Sequence, residues 1–105
     1  ATQAFQALRI ETNNELENLI TFLKKVHNYI QIDGYLAIIS FHSLEDRIVK
    51  NFFKKNKVKK NNKFQNNKNW GFDVLTKKPL IASKSEIIQN NRSRSAKLRV
   101  GRFTH

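Results

Sequence analysis

Cysteine is absent from this chain of 105 residues, and histidine is scarce, with three residues in all. Without cysteine the chain forms no disulfide and offers no thiolate ligand to a metal ion. The three histidines, His27, His42 and His105, lie too far apart in the sequence to indicate a local cluster of ligands. We therefore expect no metal site.

Long apolar runs are also absent, since no stretch reaches the about 18 consecutive apolar residues that cross a bilayer. The sequence also lacks a charged start followed by an apolar stretch and a small-residue cleavage site. We expect a soluble, cytoplasmic protein. A chain of 105 residues has room for one small domain with one core.

Glycine is scarce, and its three occurrences, Gly34, Gly71 and Gly101, stand alone. A loop that binds a nucleotide cofactor needs clustered glycines after a strand, because backbone amides must approach the ligand closely. The sequence therefore shows no such loop.

Acidic residues are few in the second half of the chain, and this produces a strong asymmetry of charge. Residues 1–47 carry four Lys/Arg and six Asp/Glu, whereas residues 48–105 carry sixteen and two, giving net charges of −2 and +14. A basic region of this kind is typical of a surface that contacts phosphates. Lysine and asparagine occupy thirteen of the sixteen positions in residues 54–69. That stretch is either compositional drift in a solvated loop or a contact with RNA.

The first predicted helix begins at Thr12, because Thr12 and Glu15 fit a capping box that satisfies free backbone amides. Residues 1–11 leave two interpretations open, a further helical turn or an entry segment. The apolar stripe of the helix has three- and four-residue spacing. Its members are Leu16, Leu19, Ile20, Leu23, Val26 and Ile30.

A buried strand and a second helix follow the turn at Asp33-Gly34. Residues 35–41 are almost continuously apolar, as in a strand of a parallel sheet that is covered on both faces. Ser43 is the predicted cap of the next helix, with Asp46 as its acidic partner. The apolar side of that helix is predicted to contain Leu44, Ile48, Phe52 and Phe53.

The second half predicts two more strands and a short helix. Residues 71–76 form a strand that ends before Pro79, and Ser83 with Glu86 forms another capping box. Residues 96–100 alternate between apolar and basic, which favours a strand buried on one face near a sheet edge. The order of elements indicates an α/β fold with helices on both faces of the sheet.

Four segments in this order resemble one family, and the resemblance extends from about Ala1 to Val100. The segments are Phe5-Gln6-Ala7-Leu8-Arg9-Ile10 with Asn14-Glu15-Leu16 behind it, Ile39-Ser40-Phe41-His42-Ser43-Leu44-Glu45-Asp46-Arg47-Ile48-Val49-Lys50, Thr76-Lys77-Lys78-Pro79, and Asn91-Arg92-Ser93-Arg94-Ser95-Ala96-Lys97-Leu98-Arg99. The family that they resemble is that of the MraW/RsmH-type S-adenosylmethionine-dependent methyltransferases, which modify a cytosine N4 in small-subunit ribosomal RNA.

The resemblance implies the C-terminal portion of a Rossmann-like methyltransferase sheet, in which a buried parallel strand is followed by an antiparallel edge pair. Residues 1–105 would then form a single partial domain, with residues 54–70 as a Lys/Asn-rich loop. S-adenosylmethionine is the implied methyl donor, and its binding site is expected mainly upstream of this segment. The implied partners are small-subunit ribosomal RNA or the small ribosomal subunit, and a separate N-terminal fragment, with no membrane.

The candidate substrate site consists of Ser40, Phe41, His42 and Ser43, which connect the buried strand to the second helix. Ligands of open α/β sheets bind beyond the carboxyl ends of the strands. Phe41 or His42 would stack on an extruded cytosine, or His42 would take a proton from its amine. The alternative is structural: Phe41 in the core, Ser43 as a cap, and His42 bonded to the turn.

The candidate RNA-binding residues form a short run of guanidinium, hydroxyl and ammonium groups suited to successive phosphates. These residues are Arg92, Ser93, Arg94, Ser95, Lys97 and Arg99. The alternative is that the arginines tie the last strand to neighbouring carbonyls or to the rest of the protein. Glu45, Asp46 and Arg47 are expected to be structural. Trp70 is expected to pack beside Phe72.

Three hypotheses remain open from the sequence. The first is methyl transfer to ribosomal RNA by an enzyme of which this chain is the C-terminal part. The second is a basic RNA-binding remnant of a split or truncated gene, without catalysis. The third is that the chain does not fold alone, because a sheet without its central strands exposes an edge and an apolar face.

Overall fold

A computed structural model describes residues 5–10, 15–59, 64 and 68–105 of the chain, with residues 5–10 and 15 described by their backbone. The predicted cap at Thr12 and residues 60–63 and 65–67 of the Lys/Asn-rich stretch lie outside the described residues. Within the described ranges, no helix combines the length and apolar character required to cross a membrane.

The described residues form one mixed sheet of five strands. Strand β1 (Phe5–Ile10) pairs in parallel with β2 (Tyr35–Ser40), and β2 pairs antiparallel with β5 (Lys97–Thr104). On its other side β5 pairs antiparallel with β3 (Gly71–Val74) and with the short β4 (Leu80–Ile81). This arrangement confirms the predicted α/β fold, in which a parallel strand pair is followed by antiparallel strands, as in part of a Rossmann-like methyltransferase sheet.

The structure decides one open alternative and confirms one prediction about the strands. Residues 5–10 form β1, so the alternative of a further helical turn there is wrong. Strand β5 lies next to the sheet edge as predicted, with β3 and β4 on its outer side. The apolar alternation in residues 96–100 was misleading, because Arg99 is buried through an ion pair while Leu98 and Val100 are only half-buried.

Helix α1 (Glu15–Lys25) continues into a 3-10 turn at Val26–Asn28, and its apolar stripe faces the core over most of its length. Leu16 and Ile20 are exceptions, because 36% and 40% of their surface remains exposed. The buried members of the predicted stripe are Leu19, Leu23, Val26 and Ile30.

Helix α2 (Ser43–Lys55) packs on the sheet through residues spaced four apart, with Val49 and Phe53 buried. The prediction that Leu44 belongs to the apolar side is wrong, since 55% of its surface is exposed. Glu45 occupies the buried face instead, four residues before Val49, because its carboxylate has backbone partners there.

The start of α2 differs from the predicted cap. His42 is the capping residue and Ser43 is the first residue of the helix. Oε1 of Glu45 accepts hydrogen bonds from the backbone amides of His42 at 3.1 Å and Phe41 at 3.2 Å. The acidic partner at the helix start is therefore Glu45, and Asp46 is free to pair elsewhere.

The third predicted cap is confirmed at helix α3 (Lys84–Gln89). Oγ of Ser83 accepts from the amide of Glu86 at 3.2 Å, and the carboxylate of Glu86 accepts from the amide of Ser83 at 3.1 Å. A 3-10 segment at Asn91–Ser95 follows and leads into β5.

The core lies between the sheet and helices α1 and α2, and it ends in a cluster of aromatic rings. The rings of Phe53, Phe72 and Phe103 lie 5.4 to 5.5 Å apart where they meet. Gly101 makes this packing possible, because a Cβ there would lie 2.6 Å from Cε1 of Phe53. A Cβ at Gly71 would lie 2.9 Å from the carbonyl oxygen of Asn56. These two glycines are therefore required by packing.

Candidate functional site

The carboxyl ends of the parallel strands meet at one edge of the sheet. Ile10, at the end of β1, pairs with Ser40 at the end of β2. Because β5 is antiparallel to β2, its first residue, Lys97, also pairs with Ser40. The residues that follow β2 and those that precede β5 therefore lie at the edge where open α/β sheets bind ligands.

A cavity of about 430 Å³ opens at this edge, and we call it the strand-end pocket. Its lining includes Ile39, Phe41, Leu80, Ile81, Ser93 and Leu98. The guanidinium carbon of Arg92 lies 5.6 Å from the centroid of the Phe41 ring, within the range of a cation–π contact. The structure thus brings together the two regions that the sequence singled out separately.

The four candidate substrate residues do not all face this pocket. Phe41 lines it, and His42 and Ser43 are exposed at the start of α2. Ser40 is only 1% exposed and lies on the sheet face that packs against the helices, in alternation with Ile39. Its hydroxyl has no hydrogen-bond partner among the described residues. The structure therefore separates Ser40 from the pocket.

The Arg/Ser segment has a fixed backbone shape. Oδ1 of Asn90 accepts from the amide of Arg92 at 3.1 Å, and the hydroxyl of Ser93 donates to the carbonyl of Asn90 at 2.7 Å. Arg92, Arg94 and Ser95 are exposed. Short local hydrogen bonds therefore hold the loop while its cationic side chains remain at the surface.

Arg99 differs from the other candidate RNA-binding residues, because its guanidinium is buried against Asp46. Nε of Arg99 donates to Oδ1 of Asp46 at 2.8 Å, and Nη2 donates to Oδ2 at 3.1 Å. These hydrogen bonds lower the pKa of Asp46, against the opposing effect of burial, and Lys97 nearby acts in the same direction as Arg99. The expectation that an arginine ties the last strand to its neighbours holds for Arg99, with a carboxylate of α2 as its partner.

The expected structural roles of Glu45 and Asp46 are confirmed by these contacts, whereas Arg47 is exposed. Trp70 packs beside Phe72 as predicted, with ring centroids 6.1 Å apart. Gln6 lies in β1, where only the backbone is described, so its side chain and that of Arg9 are outside the described residues.

Part of the strand-end pocket was missed by reasoning from the sequence. Leu80 and Ile81 form the two-residue strand β4, and 56% and 74% of their surface is exposed. Two apolar residues after a proline carry no periodicity, so the sequence contained no signal that they line a cavity.

The fold places this chain in the Rossmann-like α/β class, with a pocket at the carboxyl ends of the parallel strands. Residues 1–104 match the model of the MraW methylase family, and the chain belongs to that family.

Curated relatives agree with this assignment. The chain is 52% identical to the ribosomal RNA small subunit methyltransferase H of Sulfurihydrogenibium sp. (strain YO3AOP1), over 97% of this chain and 31% of that protein. It is 50% identical to the protein of the same name from Petrotoga mobilis, over 95% and 30% of the two chains. The Rickettsia prowazekii protein of that name is 48% identical over 97% and 36%. The chain therefore spans about a third of the length of these relatives.

Proposed function

We propose that this chain supplies the RNA-binding side of a methyltransferase that transfers a methyl group from S-adenosylmethionine to a cytosine N4 of small-subunit ribosomal RNA. The observation that carries the proposal is the strand-end pocket, where Phe41 and the Arg92 guanidinium meet at the carboxyl ends of the parallel strands. Relatives bearing the name ribosomal RNA small subunit methyltransferase H support the choice of substrate.

Phe41 and His42 are the residues proposed to contact the target base. A cytosine must be turned out of its stack before its exocyclic amine is accessible, and an aromatic ring holds such a base by stacking. Phe41 provides that ring in the pocket wall. N4 loses a proton when it gains a methyl group, and His42, exposed beside the pocket residue Phe41, accepts that proton. Ser43 lies next to it, whereas Ser40 supports the strand from the opposite face.

The phosphates on either side of the base are proposed to contact the Arg/Ser segment. Arg92 and Arg94 provide guanidinium groups for charge-assisted hydrogen bonds, with Ser93, Ser95 and Lys97 beside them. Arg99 does not contact the phosphates, because its side chain is hydrogen-bonded to Asp46. Its role is to hold β5 in place.

The described residues do not fit the methyl donor. Gly71 and Gly101 are required by side-chain packing, and the backbone of Gly34 bonds to Gln31 and Phe103. None of these glycines therefore forms a loop that cradles a ligand. We propose that the donor site lies mainly in the two-thirds of the family's length that this chain does not span, and we assign no step to the donor here.

The test is a chimera in which this chain replaces the corresponding segment of the Sulfurihydrogenibium relative. Small ribosomal subunits that lack the modification would be incubated with the chimera and S-adenosylmethionine, and mass spectrometry of RNA digests would locate new methyl groups. We expect donor-dependent methylation at a cytosine N4, and none with either segment alone. A chimera that binds the donor by calorimetry but leaves that cytosine unmodified would refute the proposal.

A second candidate function is RNA binding without catalysis, and the net charge of +14 in residues 48–105 favours it. It predicts RNA binding by the 105-residue chain that weakens steeply with salt, together with an inactive chimera. An active chimera would exclude it as the principal function.

A further inference from the structure

A second cavity lies on the helix-covered side of the sheet, away from the strand-end pocket. It has a volume of about 460 Å³, within the range of roughly 300–1,000 Å³ typical of small-molecule sites. Helices α1 and α2 each follow a parallel strand and run back along the sheet, so their C-terminal ends, at Lys25 and Lys55, lie near the opposite edge. We call this cavity the helix-end pocket.

The floor of the helix-end pocket is apolar. It is formed by Ile20 and Leu23 of α1 and by Ile48 and Phe52 of α2. Leu23 is buried, Phe52 and Ile48 are half-buried, and Ile20 is exposed. A flat apolar group would therefore remove exposed apolar surface from water by entering here.

The rim of the pocket is cationic. Lys24, Lys55 and Lys68 line it, and no Asp or Glu is found among the described residues that line it. Nζ of Lys68 donates to Oδ1 of Asn56 at 2.8 Å and lies 4.5 Å from the centroid of the Trp70 ring. Burial, and then the positive charge of Lys55, lower the pKa of Lys68, so these ammonium groups repel each other across the pocket. An anion between them would remove that repulsion.

The stacked pair of His27 and Trp70 forms another wall. Their ring centroids are 4.4 Å apart and their planes are nearly parallel, at 5°. Nδ1 of His27 is buried and has no hydrogen-bond partner among the described residues. Beside this wall, the exposed amide of Asn51 offers a polar group to a ligand, whereas the amide of Asn56 already bonds to Lys68 and to the carbonyl of Phe52.

Compensation of the helix dipoles does not account for this arrangement. Basic residues in the last turn stabilise a helix, and Lys24, Lys25, Lys54 and Lys55 all meet that description. Only Lys24 and Lys55 of these four line the pocket, however, and Lys68 joins them from a different segment. The convergence of three cations on an apolar cavity needs a further explanation.

We propose that the helix-end pocket binds one nucleotide of a single-stranded RNA segment, with the base on the apolar floor and its phosphate between the three lysines. A base combines a flat apolar face with hydrogen-bonding edges, which matches the apolar floor and the Asn51 amide. The proposal rests on the proposed function, since it assigns a second contact with the RNA substrate in a pocket that shares no lining residue with the strand-end pocket. It would hold the RNA on the helix side while the target base occupies the other site.

Trp70 makes this pocket separately observable, because it is the one tryptophan in the chain. The experiment is a titration of the 105-residue chain with a six-nucleotide single-stranded RNA at low salt, followed by Trp70 fluorescence. We expect a saturable change in emission. An abasic strand of the same length should bind roughly 5- to 150-fold more weakly, the loss that corresponds to one stacked base.

Matched variants distinguish the pocket from general attraction to a basic protein. Lys24→Gln should lower the affinity and reduce the salt dependence by about one phosphate contact, whereas Lys25→Gln, of equal charge and outside the pocket lining, should have a smaller effect. Ile20→Glu should abolish the Trp70 response, because it places a carboxylate on the apolar floor that holds the base. Leu16→Glu, one turn earlier and also partly exposed, should retain that response.

Three results would overturn the proposal. One is a Trp70 emission that does not respond to RNA, and another is equal weakening by Lys24→Gln and Lys25→Gln. The third is equal binding of the abasic strand or of a polyglutamate peptide, which would indicate a site for polyanions or for an acidic protein. None of these results depends on methyl transfer, so they leave the chimera experiment to judge the proposed function.

Discussion

The strand-end pocket and the helix-end pocket have similar volumes, about 430 and 460 Å³, but they are built in different ways. Short local elements surround the strand-end pocket: the two-residue strand β4, the six-residue helix α3 and the 3-10 segment at Asn91–Ser95. The helix-end pocket is set into the main core, between two long helices and the aromatic cluster around Phe72.

This difference indicates how rigidity is distributed in the molecule. Binding residues are often carried by loops on a rigid scaffold, because loops adapt to the ligand while the scaffold fixes their position. The strand-end pocket follows that pattern, with exposed arginines on a locally bonded segment. The helix-end pocket presents its lysines from helices that also form the core. We therefore expect the two pockets to respond differently to substitutions, and the following predictions are ordered from the largest expected effect to the smallest.

Arg99→Met should damage both pockets at once. The substitution leaves the carboxylate of Asp46 buried without its partner, which costs about 3–5 kcal/mol in the free energy of unfolding. The ion pair joins α2, which lines the helix-end pocket, to β5, which lines the strand-end pocket through Leu98. Thermal denaturation should therefore show a large loss of stability. The double variant Arg99→Met with Asp46→Leu should recover much of it, because no buried charge remains.

The pH dependence of stability gives a second measure of the same pair. The pKa of Asp46 is lower in the folded chain than in the unfolded chain. The ionised carboxylate therefore contributes fully to the free energy of unfolding above about pH 4, and this contribution is lost as the pH falls through the pKa of the folded chain. Stability curves of the wild type and of Arg99→Met should therefore converge in acid. Parallel curves from pH 7 down to pH 2 would show that Arg99 does not set the ionisation of Asp46.

Phe41→Ala should affect the strand-end pocket alone. Loss of a stacking ring weakens the hold on a base by about 1–3 kcal/mol, or roughly 5- to 150-fold. In the chimera we expect that loss in the methylation rate at limiting RNA, with an unchanged Trp70 titration. Ile88→Ala, at a position 84% exposed, is the control for changes in apolar surface. Equal rates for Phe41→Ala and the control would remove Phe41 from the site.

Ser83→Ala should loosen the strand-end pocket without changing the helix-end pocket. The substitution removes the side-chain cap of α3 and should cost about 1 kcal/mol. Amide hydrogen exchange should rise in residues 84–90 and remain unchanged around Trp70. Lys84→Ala, which leaves the cap intact, serves as the control. An increase in exchange around Trp70 as large as that in α3 would show that the two pockets are not independent.

Asp73→Asn should have the smallest effect and should leave both pockets unchanged. The carboxylate of Asp73 lies 3.8 Å from Arg102, and the side chains of Asp73 and Arg102 are 58% and 43% exposed to solvent. Such surface pairs contribute about 0–1 kcal/mol, and less as salt is added. The midpoint of urea denaturation should be nearly that of the wild type.

The sequence predicted the elements whose signals are local. The apolar run of β2, the stripe of α1 and the cap formed by Ser83 and Glu86 depend on residues close together in the chain, and each of these features is present. The arrangement at the carboxyl ends of the strands was also predictable, because parallel strands align their ends.

Features that depend on distant residues were not predictable. Asp46 and Arg99 are 53 positions apart, and either carboxylate at the start of α2 was a possible partner for the helix amides. The structure shows that Glu45 takes the amides and that Asp46 takes Arg99. Hydropathy predicts that Leu98 and Val100 face the core and that Arg99 faces solvent. In the structure Arg99 faces the core, so the buried positions of β5 are the opposite ones. The position of Ser40 on the helix side follows from the same register.

The position of β5 in the sheet has a consequence for the order in which the protein is made. Among the described strands, β3 and β4 pair only with β5, and β5 occupies residues 97–104. On a translating ribosome β1 and β2 are able to pair early, but β3 and β4 lack their strand partner until residues 97–104 emerge. Neither the strand-end pocket nor the Asp46 ion pair exists before that point. A nascent chain that lacks these residues therefore has no partial site and exposes unpaired strands to chaperones and proteases.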